Sequence, residues 1–285
     1  MWIGFGAVST QKVTKDLNKK LPIKDLGYMG PWSPRVWQNY KVIYGVLEWV
    51  LDFSEVYQLN AMAEEKPIIF ASYWSRFLGR CYNCYVVHHE VADSFYDAKY
   101  SDSYPDYDIF TIYFELARKN PDLLRKIVSH PKLKKKVLIV TNNCSGLNTD
   151  KAKCITGFGN MSEGTIKSMM YGKPLLWVSG NEGFGLPPLE ASSIGSQVIG
   201  FDVPPLNEWY PERDKLYKFV LPKEIRMGGV LNPTFRPEKL DDFIDYINSF
   251  EKKVDKDLRD YVTENYTRGK KYKTIKYILD EWGIG

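Results

Sequence analysis

Short apolar runs alternate with amphipathic stretches along most of the chain, and from residue 108 the alternation becomes regular. Runs rich in Val, Ile, Leu and Phe predict strands over 108–114, 136–141, 154–158, 175–179, 197–201 and 216–221. Between and after them, apolar residues at helical spacing predict helices over 120–129, 162–171, 237–250 and 258–282. Upstream the pattern is looser: strand 2–8 with a glycine turn, helix 11–21, an aromatic loop over 27–34, strand 41–46, helix 49–63 and strand 67–72. Strands alternating with helices imply an α/β protein, with parallel sheets covered on both faces and ligands at the carboxyl ends of the strands.

One such end carries the most informative run, Glu182-Gly183-Phe184-Gly185-Leu186-Pro187-Pro188-Leu189-Glu190. The pattern predicts strand, glycine loop and helix, with proline near the helix start where its missing N–H is tolerated. Two glycines allow close backbone approach to a ligand. The helix then points its free N–H groups and positive dipole end at the loop, which suits a diphosphate. Glu182 in the loop and Glu190 in the first turns supply hydrogen-bond acceptors for hydroxyl groups. A diphosphate between two polyols, a nucleotide sugar, fits that arrangement. The alternative is a Gly-Pro turn with two solvated glutamates.

The 285 residues are 44% hydrophobic and 26% charged, enough for one large domain or two modest ones. A net charge of +4 is too small to imply nucleic acid, while a basic face for anionic donors or lipid stays open. Aromatic residues make up 15%; carbohydrate sites use aromatic faces, but an ordinary core is the commoner use. Met1-Trp2-Ile3-Gly4-Phe5-Gly6 lacks the basic leader of a signal peptide, and no apolar run has the length of a membrane span. The expectation is a cytoplasmic protein, or one peripheral to a membrane. Cys81 and Cys84 have C-x-x-C spacing with His88 and His89 close behind, but no second pair completes a zinc site. Free thiols or a structural disulfide are expected.

The 182–190 run resembles the Glu-x7-Glu signature of retaining GT-B glycosyltransferases, glycosyltransferase family 4 in particular, which reads E-G-F-G-L-P-x-L-E-A. The resemblance covers about residues 67–282 and implies two Rossmann-like parallel-sheet domains with a donor cleft between them. The boundaries would be a short acceptor-side domain over 1–100, a nucleotide-sugar domain over 101–265 and a terminal helix over 266–285 crossing back. Ser72-Tyr73-Trp74-Ser75-Arg76 and the loop after 85–89 are similar to that family's last elements before the linker.

By the same resemblance, Glu182 contacts the donor sugar, Glu190 the ribose, and the backbone of Phe184, Gly185 and Leu186 the sugar and diphosphate. Lys119 falls where the family's phosphate lysine stands, with Arg118 before it, while the usual Gly-Arg pair is replaced around Phe114-Glu115. Gly157 and Phe158 resemble the turn that meets the nucleobase. Gly4 and Gly6 are candidates for the phosphate and acceptor loop. Glu48 occupies the place where such proteins often carry a histidine or acid, and His88 and His89 read as packing or surface residues. The implied activity is retaining transfer of a hexose to an acceptor hydroxyl, with no metal and no cofactor beyond the donor. The acceptor is unspecified: glycan, lipid or protein. A non-catalytic nucleotide-sugar binder and, further off, a membrane or nucleic-acid adaptor built on the lysine-rich terminal helix are the alternatives.

Overall fold

The computed structural model describes residues 26–29, 40–91, 100–227, 230–267 and 269–284. The expected strand 2–8 and helix 11–21, with Gly4 and Gly6, lie outside the described residues. The first sheet has four parallel strands in the order β1 (Leu26–Met29), β2 (Val42–Gly45), β3 (Ile68–Phe70) and β4 (Tyr85–Val86). Helix α1 (Phe53–Ala63) joins β2 to β3, and α2 (Tyr73–Leu78) joins β3 to β4. Asp52 and Glu55 start α1 with reciprocal side-chain to backbone bonds, which is why the helix begins at 53 and not at the expected 49. The loop expected over 27–34 instead opens with β1: Gly27, Tyr28 and Met29 pair with β2 in parallel register.

The second sheet has five parallel strands: β5 (Ile109–Ile112), β6 (Val137–Thr141), β7 (Ala152–Thr156), β8 (Leu175–Trp177) and β9 (Val198–Gly200). Their spatial order is β7-β6-β5-β8-β9. Helices α3 (Pro121–Val128), α4 (Glu163–Met170) and α5 (Leu186–Ser193) connect them. All residues of β6, β8 and β9 are buried, so they read as continuous apolar runs without alternation. The chain leaves β5 in one direction and returns on its other side at β8. The gap between the carboxyl ends of β5 and β8 is thus the topological switch point, where open α/β sheets bind ligands.

Three features depart from the sequence pattern. After α6 (Leu206–Trp209) the expected strand 216–221 divides into one parallel bridge, Phe201 to Tyr217, and the first two residues of the next strand. An antiparallel hairpin follows, β10 (Val220–Met227) and β11 (Val230–Pro237). Its signal is hidden because Pro222 and Pro233 argue against strands and its polarity is inverted. Asn232 and Thr234 are fully buried, while Leu221 and Leu231 are about half exposed. The expected helix 258–282 breaks at Thr267–Gly269 into α8 (Lys256–Tyr266) and α9 (Lys270–Glu281), following α7 (Leu240–Asn248).

The terminal segment returns to the first sheet: Val91 N–H donates to Tyr266 O at 2.8 Å, and Trp282 Nε1 to Tyr85 Oη at 3.0 Å. Helix α9 buries Ile275, Ile278 and Leu279 and leaves Lys273, Lys276 and Tyr277 in solvent. All four cysteines are paired, Cys81 with Cys84 and Cys144 with Cys154. The second pair ties the loop after β6 to β7 and was not paired from the sequence.

One buried cluster spans both sheets: Val42, Tyr44 and Ile69 from the first, Phe110, Leu138 and Trp177 from the second, joined by Phe184 and Trp209. Its continuity sets the carboxyl ends of the two sheets face to face.

Candidate active site

Four charged side chains meet where those ends face each other. After β5 the chain makes a tight turn over Ala117–Lys119, and Asn120 starts α3 in a left-handed conformation (φ 53°) with Pro121 at the first helical position. The turn delivers Arg118 and Lys119. The loop after β8 delivers Ser179 and Glu182, and the loop after β2 delivers Glu48 from the opposite sheet. Arg118 lies between the two carboxylates: Nη1 is 3.1 Å from Glu182 Oε2, and Nη2 is 2.6 Å from Glu48 Oε2. Lys119 Nζ and Ser179 Oγ both bond Glu182 Oε1. The Lys119 ammonium also stands 5.0 Å over the Trp177 ring, a cation–π contact.

The cluster is buried and formally neutral, two cations against two carboxylates. Arg118 is 3% exposed and Glu182 7%. Burial opposes the charge on Arg118, but Glu48 and Glu182 outweigh it and hold its pKa above the ordinary guanidinium value. Burial likewise pushes Glu182 up, and Lys119 and Arg118 reverse this to hold it below the usual carboxylate range. Glu48 goes the other way: burial raises it, Arg118 offsets only part, and Glu182 adds repulsion. Burial, then repulsion from Arg118, lowers Lys119. The carboxylates therefore differ in kind. Glu182 is held ionised, and Glu48 is the one that takes a proton more readily.

Backbone and neutral side chains fix the loops. Asn181 Nδ2 donates to Glu48 O at 2.9 Å, and Trp74 Nε1 donates to Asn181 Oδ1 at 3.0 Å. Ser75 Oγ lies 2.9 Å from both Gly183 O and Leu47 O. At Gly183 the loops of the two sheets pack tightly: an added Cβ would stand 2.5 Å from Val46 Cβ and 3.1 Å from Leu47 O. Its smallness serves the contact between the two loops, a packing role that the sequence expectation of ligand approach did not include. Gly183→Ala is expected to destabilise the protein by about 1–3 kcal/mol through overpacking, measured by urea unfolding.

The helix after the loop also needs a correction. Gly185 (φ 85°) caps α5, and Pro187 and Pro188 occupy its second and third positions. Both lack an N–H, so the helix end offers an anion the amides of Gly185 and Leu186, not a full set of free donors. Glu190, the fifth residue of α5, is half-buried and outside the bonds around Glu182. The Phe184 side chain is core: it packs between His89 (4.9 Å) and Trp209 (5.9 Å), which leaves only its backbone for a ligand. On the β9 side of Glu182 the free space is ≈ 10 Å³, a single water's worth.

His89 is a packing residue. Its Nδ1 is 2.8 Å from Tyr44 Oη, and burial, then His88, lowers its pKa to about 3, so it stays neutral. His88 Nε2 is 3.7 Å from Glu208, whose carboxylate accepts the first two backbone N–H groups of α2. The Gly157 and Phe158 amides, just past β7, bond Thr141 O at the carboxyl end of β6, and the Phe158 ring meets Phe114 beyond β5. That turn forms one wall of the same end of the sheet. Among the described residues no three His, Cys, Asp or Glu side chains could hold a metal ion together. The sequence reading gave no site role to Ser179, Asn181 or Asn120, and named Ser75 only within the motif at the start of α2. Only Asn120, next to the two cations and before a proline, carried a local signal, a helix start.

No family model matches the chain, and no curated protein matches it in sequence. Solved structures do. A sucrose-phosphate synthase from Thermosynechococcus elongatus aligns at TM-score 0.65 and 12% identity, over 99% of this chain and 81% of that one. Anabaena HepE in complex with UDP-glucose aligns at 0.64 and 10%, over 87% and 80%. A TarM variant from S. aureus, solved with Fondaparinux, alpha-GlcNAc-glycerol and UDP, aligns at 0.58 and 15%, over 87% and 53%, so the chain spans about half the length of TarM. The likeness is one of fold: the chain is an α/β protein with the parallel-sheet architecture of GT-B glycosyltransferases. No helix among the described residues is long and apolar enough to cross a membrane.

Proposed function

We propose that this protein is a retaining glycosyltransferase of the family 4 type that moves a hexose from a nucleoside diphosphate sugar to an acceptor hydroxyl. One observation carries the reading. Two cations after β5 and a carboxylate after β8 meet at the switch point of the second sheet, and the first sheet closes over them with Glu48. The donor sits with its diphosphate at Lys119, Arg118 and the Gly185 and Leu186 amides, its sugar at Glu182, its ribose toward Glu190 and its base toward Gly157 and Phe158. The acceptor oxygen attacks the anomeric carbon on the face the diphosphate leaves. The bond to the diphosphate breaks with its electrons, and the acceptor proton passes to a departing phosphate oxygen. Lys119 and Arg118 take up the developing charge, so the chemistry rests on positioning and electrostatics and uses no metal. Domain boundaries near 100 and 265 follow from the same reading.

Incubation with UDP-, GDP- and ADP-sugars in the presence of EDTA tests it, with released and transferred sugar measured. One donor is expected to turn over. Absence of hydrolysis, of transfer and of binding with every donor would refute the proposal. A second reading, a nucleotide-sugar binder without catalysis, is favoured by the cluster's self-neutralised state, in which both cations already hold carboxylates. Saturable donor binding without turnover would select it.

A further inference from the structure

We infer that strand β11 is a brace that holds the charged cluster in register across the two sheets, with Asn232 as its positioning residue. Three loops carry the four charges, and β11 reaches all three. Asn232 Oδ1 accepts the Val50 N–H at 2.6 Å, two residues beyond Glu48. Asn120, next to Lys119, donates through Nδ2 to Phe235 O at 2.9 Å and to Val178 O at 3.0 Å, and its Oδ1 accepts Arg236 Nε at 3.1 Å. In the Glu182 loop, Gly180 lies so close to Thr234 and to the Phe235 amide that any side chain there would collide with both. The Gly180 N–H also bonds Arg118 O at 3.0 Å, linking the second and third loops directly.

The inverted polarity of the hairpin now has a reason. A strand that merely covered the sheet would bury Leu231 and expose Asn232, whereas here Leu231 is 51% exposed and Asn232 0%. Buried polar groups are retained where their bonds specify one arrangement. The requirement is strict in this place. Glu48 belongs to one sheet and Arg118 to the other, and a buried ion pair loses its Coulombic return if the loops drift while the desolvation cost remains. Asn232 touches none of the four charged groups. It acts through Val50 on the placement of Glu48 opposite Arg118.

The inference rests on the nucleotide-sugar reading only for what the cluster binds, so its test has two readouts. Hydrogen exchange followed by mass spectrometry compares the parent with Asn232→Leu, which keeps the γ-branched shape and deletes the side-chain amide. Asn120→Gly is run beside it, since glycine keeps the left-handed backbone and deletes the three side-chain bonds. Both variants are expected to exchange about tenfold faster over 46–51, 118–120 and 178–182, with β5 to β9 unchanged. Faster exchange confined to Val50 and the hairpin would overturn the brace. Calorimetric binding of UDP-glucose is expected to weaken about 10- to 100-fold in Asn232→Leu, the scale of a small misplacement of binding groups. Unchanged affinity would reject the positioning role. If the parent itself fails to bind UDP-glucose, the donor reading loses support, while the exchange comparison still decides the brace.

Discussion

Arg118→Leu is expected to lower the unfolding free energy by about 3–5 kcal/mol, because removing one partner of a buried ion pair leaves its counter-charge stranded. Here Glu48 is stranded outright and Glu182 is left with Lys119 alone. Glu48 and Glu182 face each other through the guanidinium, and Lys119 bonds only Glu182. Leucine fills much of the volume, so the loss is electrostatic. Replacing Glu48 by glutamine in the same chain removes one stranded charge, and the double variant is expected to regain about 0.5–3 kcal/mol relative to additivity.

The pH dependence follows from the two carboxylates separately. Glu48 is raised above its ordinary 4.5, so its contribution is complete below that value and is lost as pH rises through its folded pKa. Glu182 is lowered, so its contribution is present above 4.5 and is lost as pH falls through its folded pKa. In Arg118→Leu the cation that restrains Glu48 is gone, and its pKa rises further. The penalty is therefore expected to be largest at neutral pH and to shrink as acid protonates Glu48. Urea unfolding of parent and variant across pH 4.5 to 8 measures it. A penalty below about 1 kcal/mol at pH 7, the value of an exposed pair, would show that Arg118 is not the keystone of the cluster.

The second sheet was legible in the sequence because its strands are buried on both faces and its helices are strongly amphipathic, as in α3 with Leu123, Leu124, Ile127 and Val128 buried. The 182–190 run was legible because glycine, proline and glutamate each have a local conformational reason to stand there. The hairpin was not, since its prolines and inverted polarity contradict every strand rule that works on a single sequence. Nor was the meaning of Gly183. A glycine in a loop at a strand end reads as ligand approach, and only the position of Val46, in the loop after β2, reveals a packing role. The pairing of Glu48 with Arg118 was equally hidden. Both residues were candidates, but 70 positions separate them and no local pattern joins them. Long-range electrostatics and loop-to-loop packing leave no periodic trace, and the closing of this site depends on both.

Lys119→Met separates chemistry from structure, because the two cations differ in access. The Arg118 side chain is 3% exposed and clamped by carboxylates on both sides, while that of Lys119 is 11% exposed and holds one. An incoming diphosphate therefore reaches Lys119 first, and the ammonium can trade Glu182 for phosphate without stranding Arg118. On the proposed function, the exchange would free Glu182 to accept hydrogen bonds from sugar hydroxyls, and the neutral cluster would become a donor site by swapping partners. Binding also reverses the pressure on Lys119: burial and Arg118 lower its pKa in the free protein, and a phosphate dianion beside it raises that pKa again. Methionine keeps the apolar stem against Trp177 and removes only the charge. With the donor found to turn over, Lys119→Met is expected to lower kcat by about 10²- to 10³-fold, the cost of one donor to developing negative charge. KM is expected to rise less, because charge on the diphosphate grows as the glycosidic bond breaks. Steady-state kinetics gives the split, and calorimetry with UDP gives the ground-state part. A variant with unchanged kcat would reduce Lys119 to a structural partner of Glu182. A rise in KM alone would mean that the ammonium holds the donor and does nothing for the departing diphosphate.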